Sequence, residues 1–296
     1  MEHKGRIIKG IAGFYYVKAD NVVFECKARG IFKKDKIIPL VGDNVIISIN
    51  SLEEKTAIIE KIMPRNVEMI RPRVANVDQA VVVIALKNPE PHKIMIDKLT
   101  VLIEKSGLDL VICFNKCDLD SEGIYKEFYD IYKSTGYRII STSAYDNSGL
   151  DELKEVLDNK VSVLAGPSGV GKSSILNVIQ RDLHLKTGLV SKKIKRGKHT
   201  TRHSELIELD FGGFVVDTPG FTSLDITSIE MSELKEFFPE FKNDKIQCKF
   251  SDCYHEKEPK CGVKLGVENG LISKSRYESY LYLLNEIKEN RRHKKW

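Results

Sequence analysis

The stretch "VSVLAGPSGVGKSSILNVIQ", Val161 to Gln180, decides the fold. An apolar run passes through "GPSGVGKS" into a helix-forming run. Gly166, Gly171, Lys172 and Ser173 match G-x-x-x-x-G-K-[ST], the strand-to-helix loop that wraps nucleotide phosphates. Its glycines let backbone N–H groups turn toward one anion, and the helix N-terminus adds a favourable field. Pro167, Ser168, Gly169 and Val170 complete the loop. Lys172 is expected on the β and γ phosphates, and Ser173 on Mg²⁺.

Outward from this loop the chain alternates strand and helix patterns. "QAVVVIAL" and "LDLVICFN" read as buried strands and "YRIISTSA" as a third strand, separated by the helical patterns "KIMIDKLTVLIEKSG" and "GIYKEFYDIYKSTG". "GLDELKEVLDN" is a short helix before the loop, and two more strands are expected near "ELIEL" and "GGFVVDT". Such alternation predicts a parallel α/β sheet covered on both faces.

A phosphate loop does not name the base, and this one also resembles the loop of guanylate kinases. "NKCD" decides for a guanine-specific hydrolase. The Asp118 carboxylate can accept two hydrogen bonds from guanine, a pattern adenine does not offer, while Lys116 packs along the base and Asn115 ties neighbouring loops. Ser143 and Ala144 in "STSA" complete the guanine pocket. In "DTPG", Asp217 is expected to hold Mg²⁺ through water and Gly220 to meet the γ-phosphate; standing alone the motif is also an ordinary turn. Between loop and "DTPG" lies "RGKHTTR", where Thr201, or else Thr200, is the expected switch residue.

The order along the chain is base motif, "SA", phosphate loop, switch threonine, "DTPG". Ordinary small GTPases place the phosphate loop first, so this chain reads as a circular permutation. Physics allows it, because the loops gather at the carboxyl edge of one sheet wherever the chain is cut. The segment after "DTPG" then leads directly into the C-terminal region.

That region carries "CKFSDCYHEKEPKC", with Cys248, Cys253, His255 and Cys261. Three thiolates and one imidazole make a complete tetrahedral zinc set, expected to be structural. The alternative is reduced surface cysteines beside an incidental histidine. "SKSRYESYLYLLNEIKENRRHKKW" reads as a last amphipathic helix, with Tyr277, Leu281, Leu284 and Ile287 at helical spacing.

Before the sheet, "GRIIKGIAGFYYVKA", "NVVFECKA", "GDNVIISI" and "KTAIIEKI" are β-rich runs broken at Asp20-Asn21, Gly30, Gly42-Asp43 and Asn50-Ser51. About five strands in about 65 residues predict an all-β OB-fold barrel, a fold that often binds RNA. Tyr15, Tyr16 and Phe24 can stack on bases or fill the core; Arg29, Arg65, Arg71 and Arg73 are the better phosphate-contact candidates. "IMPRNVEMIRPRVAN" reads as a linker. The predicted domains are residues 1–65, the barrel; 66–225, the permuted GTPase domain; and 226–296, a mostly helical zinc-binding domain.

Composition agrees with a globular chain: 42% hydrophobic and 30% charged residues, net charge +5. The longest apolar run, Ala80 to Leu86, is far short of the roughly 18 residues a membrane span needs. The first residues lack a signal-peptide core, so a cytoplasmic location is expected. Basic runs at Ser191 to His203 and Arg291 to Trp296 suit a polyphosphate backbone, or are simply a solvated loop and tail.

Permuted motif order, a barrel before it and Cys-x4-Cys-x-His-x5-Cys after it together resemble the ribosome small subunit-dependent GTPase family RsgA (YjeQ/YloQ type) over essentially the whole chain. The resemblance implies GTP and GDP binding with Mg²⁺, one structural zinc, and a monomer acting in late maturation of the 30S ribosomal subunit. It also implies 16S rRNA binding and GTP hydrolysis stimulated by the subunit and driving release. Phe221 stands where the water-orienting glutamine is common. The family assigns that role to a histidine, here His199; a ribosomal group can also supply it, leaving His199 to touch RNA. Two other readings stay open, a nucleotide kinase and a non-catalytic RNA-binding protein, which phosphoryl transfer to GMP or an absence of hydrolysis would reveal.

Overall fold

The structure is a computed structural model and describes residues 2–34, 37–70, 72–180, 204–216 and 224–293. Strands Glu2–Ile11 (β1), Phe14–Ala19 (β2), Val22–Ala28 (β3), Asn44–Ser51 (β4) and Thr56–Ile62 (β5) close into a barrel in the order β1-β2-β3-β5-β4. A short helix, Gly30–Lys34 (α1), lies between β3 and β4. Inward residues alternate along the strands as the pleat demands, and Ile7, Val17, Phe24, Cys26, Ile47 and Ile59 are buried. Phe24 is therefore core. The run from Gly5 to Ala19 is a hairpin reversed at Ala12 and Gly13, whose φ values of 50° and 88° suit a two-residue turn.

The expected linker carries structure. Glu68–Ile70 (β6) pairs antiparallel with Arg73–Ala75 (β7), burying Met69 and Val74. Just before them Arg65 donates to both oxygens of the fully buried Asp43, at 2.7 and 2.8 Å, to Glu68 at 2.6 Å and to the Ile38 carbonyl at 2.7 Å. Its guanidinium is thus committed to protein partners, and Arg65 holds this segment rather than serving as a free phosphate contact.

A six-stranded sheet follows, built from Gln79–Ala85 (β8), Asp109–Asn115 (β9), Arg138–Thr142 (β10), Val161–Ala165 (β11), Leu206–Glu208 (β12) and Phe214–Val216 (β13). Its order is β10-β9-β8-β11-β13-β12. β9–β10 and β11–β13 are parallel, but β12 runs antiparallel to β13. The sheet is thus mixed rather than purely parallel, because β12 and β13 are joined by a tight turn rather than a helical crossover. Helices Lys93–Lys105 (α2), Ile124–Tyr132 (α3), Leu150–Leu157 (α4) and Lys172–Ile179 (α5) connect the strands. The described C-terminal residues form short 3-10 turns at Leu234–Phe237 and Pro239–Lys242, then Gly262–Glu268 (α6) and Lys274–His293 (α7).

The chain falls into two compact units. One holds the barrel, β6, β7, most of β11, and the β12–β13 hairpin; the other holds most of β8, then β9, β10, α2, α3, α5 and the residues from Leu224 onward. Within the second, α7 buries Tyr280, Leu283, Leu284 and Ile287, and beside them Arg276, fully enclosed. Arg276 donates to Glu240 at 2.7 and 3.2 Å and to Asp97 on α2 at 2.5 Å, with its guanidinium 4.6 Å from the Phe238 ring centre. Burial opposes its charge, but Glu240 and Asp97 outweigh burial and hold the guanidinium protonated. Arg276→Ala would leave two buried carboxylates uncompensated and should cost about 3–5 kcal/mol, read by urea denaturation. A loss under about 1 kcal/mol, the range of exposed pairs, would contradict this account of the packing.

Among the described residues, no helix is long and apolar enough to cross a membrane.

Candidate functional site

The five residues of β11 are all buried, and the chain leaves its carboxyl end through Gly166, with φ 133°. A side chain there would meet the Val83 carbonyl oxygen at 2.2 Å. At Gly171, with φ 99°, a Cβ would lie 2.3 Å from Asn115 Nδ2. Both glycines are thus required by close approach as well as by backbone conformation. Gly171 caps α5, so the loop presents its N–H groups at a helix start. Lys172 folds its ammonium onto the loop's own carbonyls, Gly166 at 2.8 Å and Pro167 at 2.7 Å, and burial lowers its pKa. Ser173 follows, half-buried.

The base-side residues meet this loop directly. Asn115, buried at the end of β9, donates to the Val170 carbonyl at 2.7 Å and accepts from Thr142 at 3.2 Å. The parallel register sets Thr142 opposite Asn115, which brings "NKCD" and "STSA" side by side. Lys116, with φ 63°, donates to the Gly169 carbonyl at 2.8 Å and to the Asn88 carbonyl, so its stem is stretched across the loop. Burial lowers its pKa, with Asp118 opposing. Ser143 donates to Asp118 Oδ1 at 2.6 Å and accepts from the Tyr145 N–H at 3.1 Å. One carboxylate oxygen of Asp118 is therefore held by Ser143. Ala144 is half-buried beside them.

All of the expected phosphate-loop and guanine-pocket residues among the described ones thus come together. Asn88 and Thr142 join them without having been expected. A backbone carbonyl leaves no trace in sequence, which hid Asn88; the placement of Thr142 directly before the "SA" pair was the available signal. His199, Thr200, Thr201, Asp217, Gly220 and Phe221 lie outside the described residues, as does Arg71.

The second cluster is Cys248, Cys253, His255 and Cys261, whose donor atoms all lie within 4.8 Å of one another. His255 Nδ1 is 3.5 Å from Cys248 Sγ and 3.3 Å from Cys261 Sγ; those sulfurs are 3.9 Å apart. Sulfurs about 2.3 Å from a tetrahedral zinc stand about 3.8 Å apart, so the set fits that ion. Burial, then Lys235, pushes the His255 pKa down to about 4, which keeps its imidazole neutral and able to ligate. The loop is held from α7, where Tyr277 donates to the His255 carbonyl at 2.7 Å and Tyr280 to the Tyr254 carbonyl at 2.8 Å.

Comparison with known proteins agrees with this architecture. The family model for the RsgA N-terminal domain matches residues 4–59, and that for the RsgA GTPase matches residues 62–227. A protein of Alkaliphilus metalliredigens named small ribosomal subunit biogenesis GTPase RsgA is 49% identical over 98% of this chain and 99% of its own. One of Caldanaerobacter subterraneus with the same name is 47% identical, over 97% and 96%. Among solved structures, YjeQ from Thermotoga maritima is 40% identical with a TM-score of 0.85, covering 97% of this chain and 99% of that one. YloQ, described as a circularly permuted GTPase, is 38% identical with a TM-score of 0.83, over 98% and 96%. With Asn115 to Asp118 and Gly166 to Ser173 brought together, in permuted order, in a chain that also carries a barrel and a Cys/His cluster, the chain belongs to the RsgA GTPase family and is a GTP-hydrolysing enzyme.

Proposed function

We propose that this GTPase binds the 30S ribosomal subunit and its 16S rRNA, assists late maturation, and is released when the subunit stimulates hydrolysis. What carries the reading is one juxtaposition. Residues that are out of order on the chain, Asn115 to Asp118 and Gly166 to Ser173, meet through the Asn115–Val170 and Lys116–Gly169 bonds. They do so in a chain similar over nearly its whole length to proteins named small ribosomal subunit biogenesis GTPase.

In this reading Gly166 to Ser173 hold the phosphates. Asn115, Lys116, Asp118, Ser143 and Ala144 hold guanine. Ser173, Thr201 and Asp217 serve Mg²⁺, and Gly220 the γ-phosphate. Magnesium, when bound, neutralises charge on the β and γ phosphates. Lys172 leaves the Gly166 and Pro167 carbonyls for phosphate oxygens. Since Phe221 cannot orient water, His199 or a group of the subunit does so. Zinc held by Cys248, Cys253, His255 and Cys261 supplies folding energy to the C-terminal region. The working unit is a cytoplasmic monomer with domains at residues 1–65, 66–225 and 226–296.

Co-sedimentation tests the reading. With a non-hydrolysable GTP analogue the protein should pellet with purified 30S subunits, and with GDP it should remain mostly in the supernatant. Equal pelleting in both states would remove the link between nucleotide and release.

A further inference from the structure

Cationic side chains of one barrel face meet the β12–β13 hairpin. Arg6 on β1 and Lys18 on β2 stand directly opposite each other, a like-charge cross-strand pair that is unfavourable alone. The pairing register then shifts between Ile7 and Lys9, a bulge that re-aims the strand and brings Lys9 opposite Tyr16. Arg6 donates to Asn44 of β4 within the barrel at 3.2 Å, while Lys9 and Lys18 are received at the β12–β13 hairpin, in the same compact unit. Lys9 reaches both carboxylate oxygens of Glu205, at 2.8 and 2.9 Å, and the two residues also form an antiparallel bridge. Lys18 pairs with Glu208, and the Arg6 guanidinium lies 5.4 Å from the centre of the Phe214 ring.

Three separate contacts therefore fasten one hairpin to one barrel face. In sequence, Glu205 closely follows Thr201, and Val216 at the end of β13 immediately precedes Asp217. We propose that Arg6, Lys9 and Lys18 are positioning residues for GTP hydrolysis, setting from the barrel the strands that flank the switch threonine and the "DTPG" aspartate. This rests on the assignment of Thr201 and Asp217 above. The barrel then acts as part of the catalytic frame, in addition to any RNA it holds.

A charge-reversal cycle on the full-length protein tests this. The pairs are partly exposed, so Lys9→Glu and Glu205→Lys should fold, with melting curves close to that of the parent. Each single change should lower hydrolysis at saturating GTP by roughly three- to tenfold while leaving GDP affinity unchanged, since GDP lacks the γ-phosphate the switch reads. The double variant, which restores the pair in reverse, should recover to within about twofold. Parent-like rates in both singles, or a double variant no faster than the slower single, would overturn the proposal. Asp217→Ala, run alongside, separates the two layers: its failure to lower hydrolysis would refute the assignment of the "DTPG" aspartate itself.

Discussion

Asp118→Asn should lower GTP affinity by about 10²–10⁴-fold and turn nucleotide preference toward xanthosine triphosphate. The carboxylate is expected to accept two hydrogen bonds from guanine, and each bond to a charged group is worth about 1.5–3 kcal/mol. Asparagine keeps the shape but presents an N–H₂ donor where guanine also presents donors. Xanthine carries a carbonyl at that position, so it accepts from the new amide. Ser143 makes the prediction sharper, because it donates to Asp118 Oδ1 at 2.6 Å and will equally orient the asparagine carbonyl. Competition of GTP and xanthosine triphosphate for a fluorescent nucleotide reads the result; unchanged GTP preference would refute the base assignment.

Removing the zinc proposed for Cys248, Cys253, His255 and Cys261 should have an effect as large, on stability rather than specificity. Cys253 and Cys261 belong to the buried cluster that also holds Phe238, Phe241, Tyr280 and Leu284, and the His255 ring lies 5.6 Å from that of Phe241. Without an ion, three cysteines and an imidazole crowd together with no shared partner. Structural zinc contributes about 10–16 kcal/mol of apparent binding energy in small domains, and even a fraction of that exceeds an ordinary point mutation. The purified protein should carry one zinc per chain by metal analysis. Chelation should lower its melting temperature by tens of degrees and expose Cys248, Cys253 and Cys261 to a thiol reagent. A metal-free protein with an unchanged melting curve would show the cluster to be incidental.

Much of this site is legible in the sequence because its chemistry is local. The phosphate loop, "NKCD" and "STSA" are contiguous residues at strand ends, and wherever the chain is cut such loops gather at one edge of the sheet. The Cys/His cluster is legible for the same reason, as four candidate ligands close in sequence whose donor atoms lie within 4.8 Å of one another. Long-range pairing is not. Arg276 sits in a helix full of charged residues and reads as solvent-facing, yet it is buried because Asp97 awaits it 179 residues away. The linker reading failed similarly: two prolines and three arginines suggested open chain, but one of those arginines, Arg65, is pinned by a buried aspartate that precedes it in the barrel. The hairpin turn at Ala12 and Gly13 leaves little trace in sequence because alanine rarely takes positive φ, and the antiparallel β12 follows from a five-residue connection too short for a helical crossover.

Under the proposed function, the small ribosomal subunit switches this permuted GTPase. The measurement that reaches this claim most directly is GTP turnover by the purified protein, with and without purified 30S subunits at saturating GTP. Slow turnover alone and an increase of at least about tenfold with subunits is the predicted result, since Phe221 cannot position water and the missing group must be supplied or ordered by the partner. Identical rates with and without subunits would contradict the claim.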